Sequence, residues 1–300
     1  MTDLRTSPVN GGDLFSERAR QYALEKPLQR IQVLEAGCGW GTGLDLGDHE
    51  HEVTGVDRES PELRAYTCER PDLDTWHLGD LRTVPLPPRA FDIVHASYLI
   101  ERIPHAELVL DRFVAALKPG GLLLVHLRDR DTAFGFLDRT LPRWLRASGR
   151  RRLRPGRAAP ADRPRRARGA HARVPRPAGE GGAGPGGIVP APAGEVLTAP
   201  AGQERAASRP VPVVRTSPPA AIYDRVASRS GLRWYCVMRG LVVAEEYSSR
   251  QALDALGAGT GPADLLCRLV SAVTRGRLTA DHSEVTFVIR KPENRFARVI

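Results

Sequence analysis

The chain has 300 residues, 41% of them hydrophobic, which is enough for one large domain or two small ones. Its formal net charge of +9 is concentrated: residues 150–220 hold 14 Arg, no Lys and 4 acids, whereas the rest carries 30 basic and 31 acidic residues. The body therefore has no basic bias, which argues against nucleic acid as its partner. No apolar run reaches membrane length, and MTDLRTSPVNGGD lacks the basic-then-apolar pattern of a signal peptide. Four scattered cysteines (Cys38, Cys68, Cys236, Cys267), with no CxxC and no histidine at metal spacing, predict reduced thiols in a cytoplasmic protein and no metal site.

In chain order, residues 13–29 read as an amphipathic helix with Leu14, Phe15, Ala19, Tyr22 and Ala23 on one face. Val33-Leu34 is a short apolar strand ending in Glu35. Gly37, Cys38, Gly39, Trp40 and Gly41 then form a loop with a glycine at every second position. TGLDLGDHEH follows, where a helix of two turns or so is expected. Val53 to Val56 is a second strand, closed by Asp57. Strand, glycine loop and a second strand ending in an acid build a nucleoside pocket in a parallel α/β sheet. Glycines let the backbone approach a ligand with no Cβ in the way. A carboxylate at the second strand tip can accept from two ribose hydroxyls. Glu35 selects among nucleosides: it would repel a pyrophosphate at this loop and attract an ammonium or a sulfonium. Thr42 also stands where a dinucleotide fingerprint needs glycine or alanine.

Ser60-Pro61-Glu62 is a helix start, and that helix is expected to reach about Glu69. Asp74 to His77 reads as a third strand and Phe91 to Ala96 as a fourth. Pro104 opens a helix with Leu108, Leu110, Phe113, Val114 and Leu117 near helical spacing, stopped by Pro119-Gly120-Gly121. Leu122 to Leu127 reads as a buried parallel strand, and Phe134 to Leu145 as a helix. Beyond residue 221 come a helix opened by Ser230-Gly231 and ended by Gly240, a strand from Leu241 to Tyr247, an apolar-faced helix from Ala263 to Thr274 and a strand from Glu284 to Arg290.

Several of these stretches resemble the motifs of class I S-adenosylmethionine-dependent methyltransferases. E-A-G-C-G-W-G at 35–41 looks like the first, and G-V-D at 55–57 like the motif closing their second strand. L-G-D-L at 78–81, F-D-I-V-H-A-S at 91–97 and L-K-P-G-G-L-L-L-V at 117–125 resemble three more, in order and at ordinary distances. The likeness covers about residues 15–146 well and the last 80 loosely. It implies a Rossmann-like, seven-stranded, mostly parallel sheet with helices on both faces and a last strand returning antiparallel. It implies S-adenosylmethionine as cofactor. Glu35 would face the cofactor's amino end, with Gly37, Gly39 and the Cys38 backbone close beneath it. Asp57 would hold the ribose, with Arg58 beside the adenine. Asp80 would accept from the adenine amino group, Leu81 would pack on the ring, and Ser97 would line the methionine side.

Residues 150–220 break the pattern. There 14 Arg, 13 Pro, 10 Gly and 15 Ala fill 52 of 71 positions, with no Phe, Tyr or Trp. Such a stretch buries too little apolar surface to offset chain entropy and is expected to be disordered. Three readings of it stand: an arginine-rich RNA-binding arm, a linker or lid, or a G+C-rich gene read out of frame between two compensating frameshifts. The expected organisation is 1–149 as the cofactor half of a methyltransferase core, 150–220 as an insert, and 221–300 as the end of the same domain.

Methyl transfer from a sulfonium needs positioning more than acid–base help, and a base matters only if the acceptor must lose a proton. Candidates near strand ends are His95, Tyr98, His105, His126 and Asp129; the pattern singles out none. Glu101-Arg102 stands where relatives often have Glu-His. Trp40 either walls the pocket or packs on a helix, and Cys38 reads as a small filler. No N/D-P-P-Y/F/W follows the fourth strand, and no Pro-Cys, which argues against adenine-amine and cytosine-C5 chemistry. The expected reaction is methyl transfer to a small-molecule acceptor; the rivals are an RNA methyltransferase using the Arg-rich stretch and a cofactor-binding pseudoenzyme.

Overall fold

The computed structural model describes residues 11–39, 43–140, 221–256 and 259–293. Residues 40–42 and 141–220, hence Trp40, the end of the expected 134–145 helix and the Arg-rich stretch, lie outside the described residues.

Seven strands form one sheet: β1 (Ile31–Ala36), β2 (His51–Asp57), β3 (Thr75–Leu78), β4 (Phe91–Ser97), β5 (Leu117–Arg128), β6 (Val242–Ser249) and β7 (Glu284–Arg290). Their order is β3-β2-β1-β4-β5-β7-β6. The first five are parallel, and β7 runs antiparallel between β5 and β6. The order reverses between β1 and β4, the point where an open α/β sheet leaves a crevice at its C-terminal edge.

Side chains alternate across each strand, so each face makes its own core. On one face Leu34, Ala36, Val56, Val94, Ala96, Leu123, Val125 and Phe287 meet α3 (Ala106–Ala116) and α5 (Arg229–Arg239) through residues such as Leu110, Phe113, Leu232 and Tyr235. On the other, Ile31, Val33, Val53, Ile93, Leu124 and Val288 meet α1 (Gly11–Leu24) through Phe15, Ala19, Tyr22 and Ala23. All five residues expected on the buried face of α1 are buried, Leu14 included. At the opposite edge of the sheet, buried Asp92 of β4 accepts from the Gln32 backbone (3.1 Å), Tyr22 (3.3 Å) and Lys118 (2.6 Å). It thereby ties β1, α1 and β5 to one point.

α2 (Pro61–Cys68) starts as expected: the Ser60 side chain accepts from the Leu63 backbone, and proline occupies the first turn. Several boundaries differ from expectation. Residues 43–50 contain no helix; Gly43 (φ +49°) and Gly47 (φ +64°) take left-handed backbone, which breaks the expected turns. α3 begins at Ala106, not Pro104, and its first backbone donor is taken by Asp224 (3.1 Å). Leu108 is exposed, while Val109 is buried instead. Pro119-Gly120-Gly121 does not merely end that helix. β5 already starts at Leu117, pairs Phe91, and shifts register before Leu122 pairs Ile93.

α4 (Ala133–Thr140), the short α6 (Gln251–Asp254) and α7 (Thr260–Val273) make a small satellite cluster around Ala133, Leu253 and Cys267. The apolar face expected of α7 packs on that cluster through Cys267, Ala263 and Val270, while Leu265, Leu269 and Val273 are exposed. Among the described residues, no helix is long and apolar enough to cross a membrane.

Candidate functional site

The crevice at the β1/β4 switch point is where the sequence-predicted acids arrive. Glu35 lies opposite Gly55 of β2 and His95 of β4. Gly55 is needed there, because a Cβ on it would come within 2.9 Å of the Cys38 sulfur. Glu35 is buried, and burial raises its pKa. The Arg70 guanidinium opposes that shift: Nη1 donates to Oε1 at 2.7 Å and Nη2 to Oε2 at 2.8 Å. Arg70 also donates to the Cys38 carbonyl (2.5 Å) and to both oxygens of Asp72. Its five N–H donors are all engaged.

Asp57, at the β2 tip, is buried too. One oxygen accepts from the Gly39 backbone (3.0 Å) and the other from the Arg58 backbone (2.7 Å). Burial raises its pKa against those two hydrogen bonds. Asp57 therefore holds the glycine loop, and the loop leaves no room for a side chain at Gly39. A Cβ on Gly39 would sit 2.4 Å from Leu63 Cδ2 and 3.1 Å from Asp57 Oδ2. Gly37 has φ +83°, a conformation that favours glycine. The Cys38 thiol is buried and pushed up to about 12, mainly by burial and then by Asp57 and Glu35. It is a small filler here, not a nucleophile.

The remaining predicted residues are less drawn together. The Arg58 side chain is exposed. Asp80 is exposed, and Arg82 grips both of its oxygens (2.6–3.1 Å), which lowers its pKa to about 2. Leu81 is buried, its side chain in the core beneath the β2 and β3 tips. Ser97 ends β4, half-buried, beside His126 of β5.

The base candidates fall into two groups. His105 is exposed, in left-handed backbone before α3, and its side chain caps nothing. Asp129 is buried; it accepts from the Asp131 backbone (2.9 Å) and sits 3.1 Å from His282 Nε2. His95 is buried edge-on to Phe15, and burial lowers its pKa to about 4. Tyr98 and His126 stack at 4.5 Å between ring centroids, and both face Glu284 of β7. Tyr98 donates to Glu284 Oε1 at 2.9 Å. His126 Nε2 lies 3.3 Å from Oε2, out of line for a hydrogen bond. Arg70 and Glu284 escaped the sequence analysis. Neither lies in a motif, and each reaches its partner only because the sheet brings distant segments together.

A model of the methyltransferase domain matches residues 13–181, more than half of the chain. The chain belongs to that family, as a class I S-adenosylmethionine-dependent methyltransferase domain. Over 137 residues it is 37% identical to a probable S-adenosylmethionine-dependent methyltransferase of Mycolicibacterium smegmatis, covering 44% of this chain and 52% of that protein. Over 114 residues it is 40% identical to methyltransferase str3 of Strobilurus tenacellus, covering 37% and 40%. Over 118 residues it is 30% identical to trans-aconitate 2-methyltransferase of Rhizobium rhizogenes, covering 38% and 45%. The chain thus spans about half the length of the curated relatives it matches.

Proposed function

We propose that this methyltransferase domain transfers a methyl group from S-adenosylmethionine to a small-molecule acceptor. The observation that carries the reading is the pair of buried acids, Glu35 and Asp57, at neighbouring strand tips either side of a loop whose Gly37 has positive φ and whose Gly39 has no room for a Cβ. Two buried carboxylates favour a cationic ligand, and the loop offers close backbone approach. When bound, S-adenosylmethionine supplies an already activated methyl group. The chain's own residues then bind, orient and exclude water.

In this reading Glu35 receives the cofactor's ammonium, exchanging at least one of its Arg70 bonds. Gly37, Cys38 and Gly39 lie beneath the cofactor, and Asp57 turns to the ribose hydroxyls. Arg58, Asp80 and Leu81 border the adenine, and Ser97 the methionine side. Asp80 must share its Arg82 pairing to do so. Residues 1–149 and 221–300 act as one domain, because β6 and β7 complete the sheet begun by β1–β5. The four free cysteines suit a cytoplasmic location. The near-neutral body and the small acceptor named for the trans-aconitate relative support a small molecule over nucleic acid.

Calorimetry with S-adenosylhomocysteine, the product form of the cofactor, tests the reading. The protein should bind it at micromolar Kd or better, and Asp57→Ala should weaken binding about a hundredfold, on the order of 3 kcal/mol. Absence of binding by the unsubstituted protein rejects the proposal.

A further inference from the structure

Helix α7 carries apolar side chains outward as well as inward. Ala263, Cys267 and Val270 pack into the satellite cluster. On the opposite side Leu265, Leu269 and Val273, about one turn apart, are 70%, 57% and 76% exposed. Leu266 and Pro262 flank that row, and both are exposed. Between Thr260 and Val273 the charged residues are Asp264 and Arg268 alone, and they pair with each other on one flank (2.8 Å). A surface helix ordinarily turns its polar side to water. Here the outward side is apolar along its length, which marks an interaction surface.

The charges around this face are mostly arginine. Asp264 also binds Arg250, which joins β6 to α6. Arg275 and Arg277 follow the C-terminal end of α7 and are exposed. Arg250, Arg268 and Arg275 line an open hollow of about 680 Å³ beside the helix, together with Ser271, Thr279 and Asp281. Asp281 opposes them, and it already accepts from Thr279 (2.9 Å). Asp254 stands at the other end of the helix, where Thr260 donates to its carbonyl. His282 is engaged by Asp129 (3.1 Å). Arg250, Arg268, Arg275 and Arg277 thus stand against Asp254, Asp264 and Asp281, with the positive excess at the C-terminal end. Elsewhere in the chain, residues 150–220 add 14 Arg against 4 acids.

An apolar ridge with an arginine rim matches a membrane surface that bears anionic lipids. Leucine and valine side chains enter the acyl boundary, arginines reach back to the phosphates, and basic residues nearby add attraction. Apolar insertion and a basic segment together supply the two signals that stable attachment takes. A second copy fits less well, because two arginine rims would meet. A protein partner fits less well too: the face has no aromatic side chain at its centre and no hydrogen-bonding side chain within it. The position in the fold agrees. β5 and β6 both run antiparallel to β7, hence parallel to each other. α4 follows β5, and α6 and α7 follow β6. All three therefore lie at the sheet edge that also holds the crevice.

We propose that the outward face of α7 docks this protein on membranes rich in anionic lipids. The proposal goes beyond the methyltransferase reading and does not depend on it. Co-sedimentation of the full chain with vesicles tests it. Vesicles of phosphatidylcholine and phosphatidylglycerol in equal parts should bind the protein, and vesicles of phosphatidylcholine alone should bind it about tenfold more weakly. Leu265→Ser combined with Leu269→Ser leaves the charge unchanged and should weaken binding to the mixed vesicles about tenfold. Arg275→Gln combined with Arg277→Gln should weaken it by a similar factor. All four side chains are exposed, so both variants should keep the thermal midpoint and the S-adenosylhomocysteine affinity of the parent. Absence of binding to the mixed vesicles overturns the proposal and leaves the face to a protein partner. Binding untouched by the serine pair also overturns it and assigns the attraction to the Arg-rich stretch. A lipid-free dimer, seen by sedimentation velocity and lost in the serine pair, gives the face to a second copy and overturns it as well.

Discussion

The two ends of the crevice treat their buried acids in opposite ways. At the β1–β2 end every oxygen of Glu35 and Asp57 is occupied, by Arg70 and by the Gly39 and Arg58 backbones. At the β4–β5–β7 end the fully buried Glu101 carboxylate has no side-chain hydrogen bond among the described residues, and Arg102 lies 3.8 Å away. The first end carries its own cation and is stable as it stands. The second is left short of a donor. One end balances its buried charge with a bidentate guanidinium, and the other holds a carboxylate with Arg102 3.8 Å off.

Removing the stand-in gives the largest expected effect. Arg70→Met leaves Glu35 buried without its cation and should lower unfolding free energy by about 3–5 kcal/mol, read by urea denaturation. Saturating S-adenosylhomocysteine should then restore more stability to the variant than it adds to the unsubstituted protein, because the ligand's ammonium replaces the lost charge. A loss under about 1 kcal/mol would mean that the pairing is ornamental and the comparison breaks.

His95 lies between the two ends, on the same sheet face as Glu35, and gives the next effect. Its folded pKa is about 4, below the ordinary imidazole value of 6.5, because of burial first and then His126 and Arg70. The unfolded chain therefore binds a proton between these values that the folded one does not. The stability contribution is full above about 6.5 and is lost as pH falls towards 4, on the order of 3 kcal/mol in all. His95→Leu should remove this acid limb, so the difference between the two stability curves should be flat above pH 7 and change below it. Parallel curves from pH 7 to pH 4 would place His95 in a wetter environment than its burial indicates.

The smallest effect sharpens the contrast most. Glu101→Met should stabilise the fold by about 1–2 kcal/mol at pH 8, the reverse of the Arg70 variant. Burial raises the pKa of Glu101. Its cost is therefore absent below the unfolded pKa, grows as pH rises, and is complete above the folded pKa. The gain should accordingly shrink on acidification. Destabilisation at pH 8 would show that Glu101 holds the fold together.

Much of the first end was legible. Glu35, the glycines and Asp57 lie within one short stretch, and their order along it fixes their places at two adjacent strand tips. The cap at Ser60 was readable because its signal is local: a side chain accepting from a backbone three residues on. The segment after the glycine loop misled. A helix of two turns or so was expected there, but Gly43 and Gly47 adopt left-handed backbone that a helix cannot contain. Leu108 misled for a different reason: it stands about 200° round the helix from Leu110, off the face that Ala106, Val109, Leu110 and Phe113 bury.

The sequence by itself determined the parallel α/β sheet, the glycine loop and the two acids that flank it, because these depend on residues close together in the chain and on the alternation of single strands. Only the tertiary structure decided who stands against those acids. Arg70 reaches Glu35 from 35 positions away, and Tyr98 reaches Glu284 across 186. Such pairings follow from how strands are ordered in the sheet, and charge balance inside a protein is set by neighbours in space, which no local pattern records.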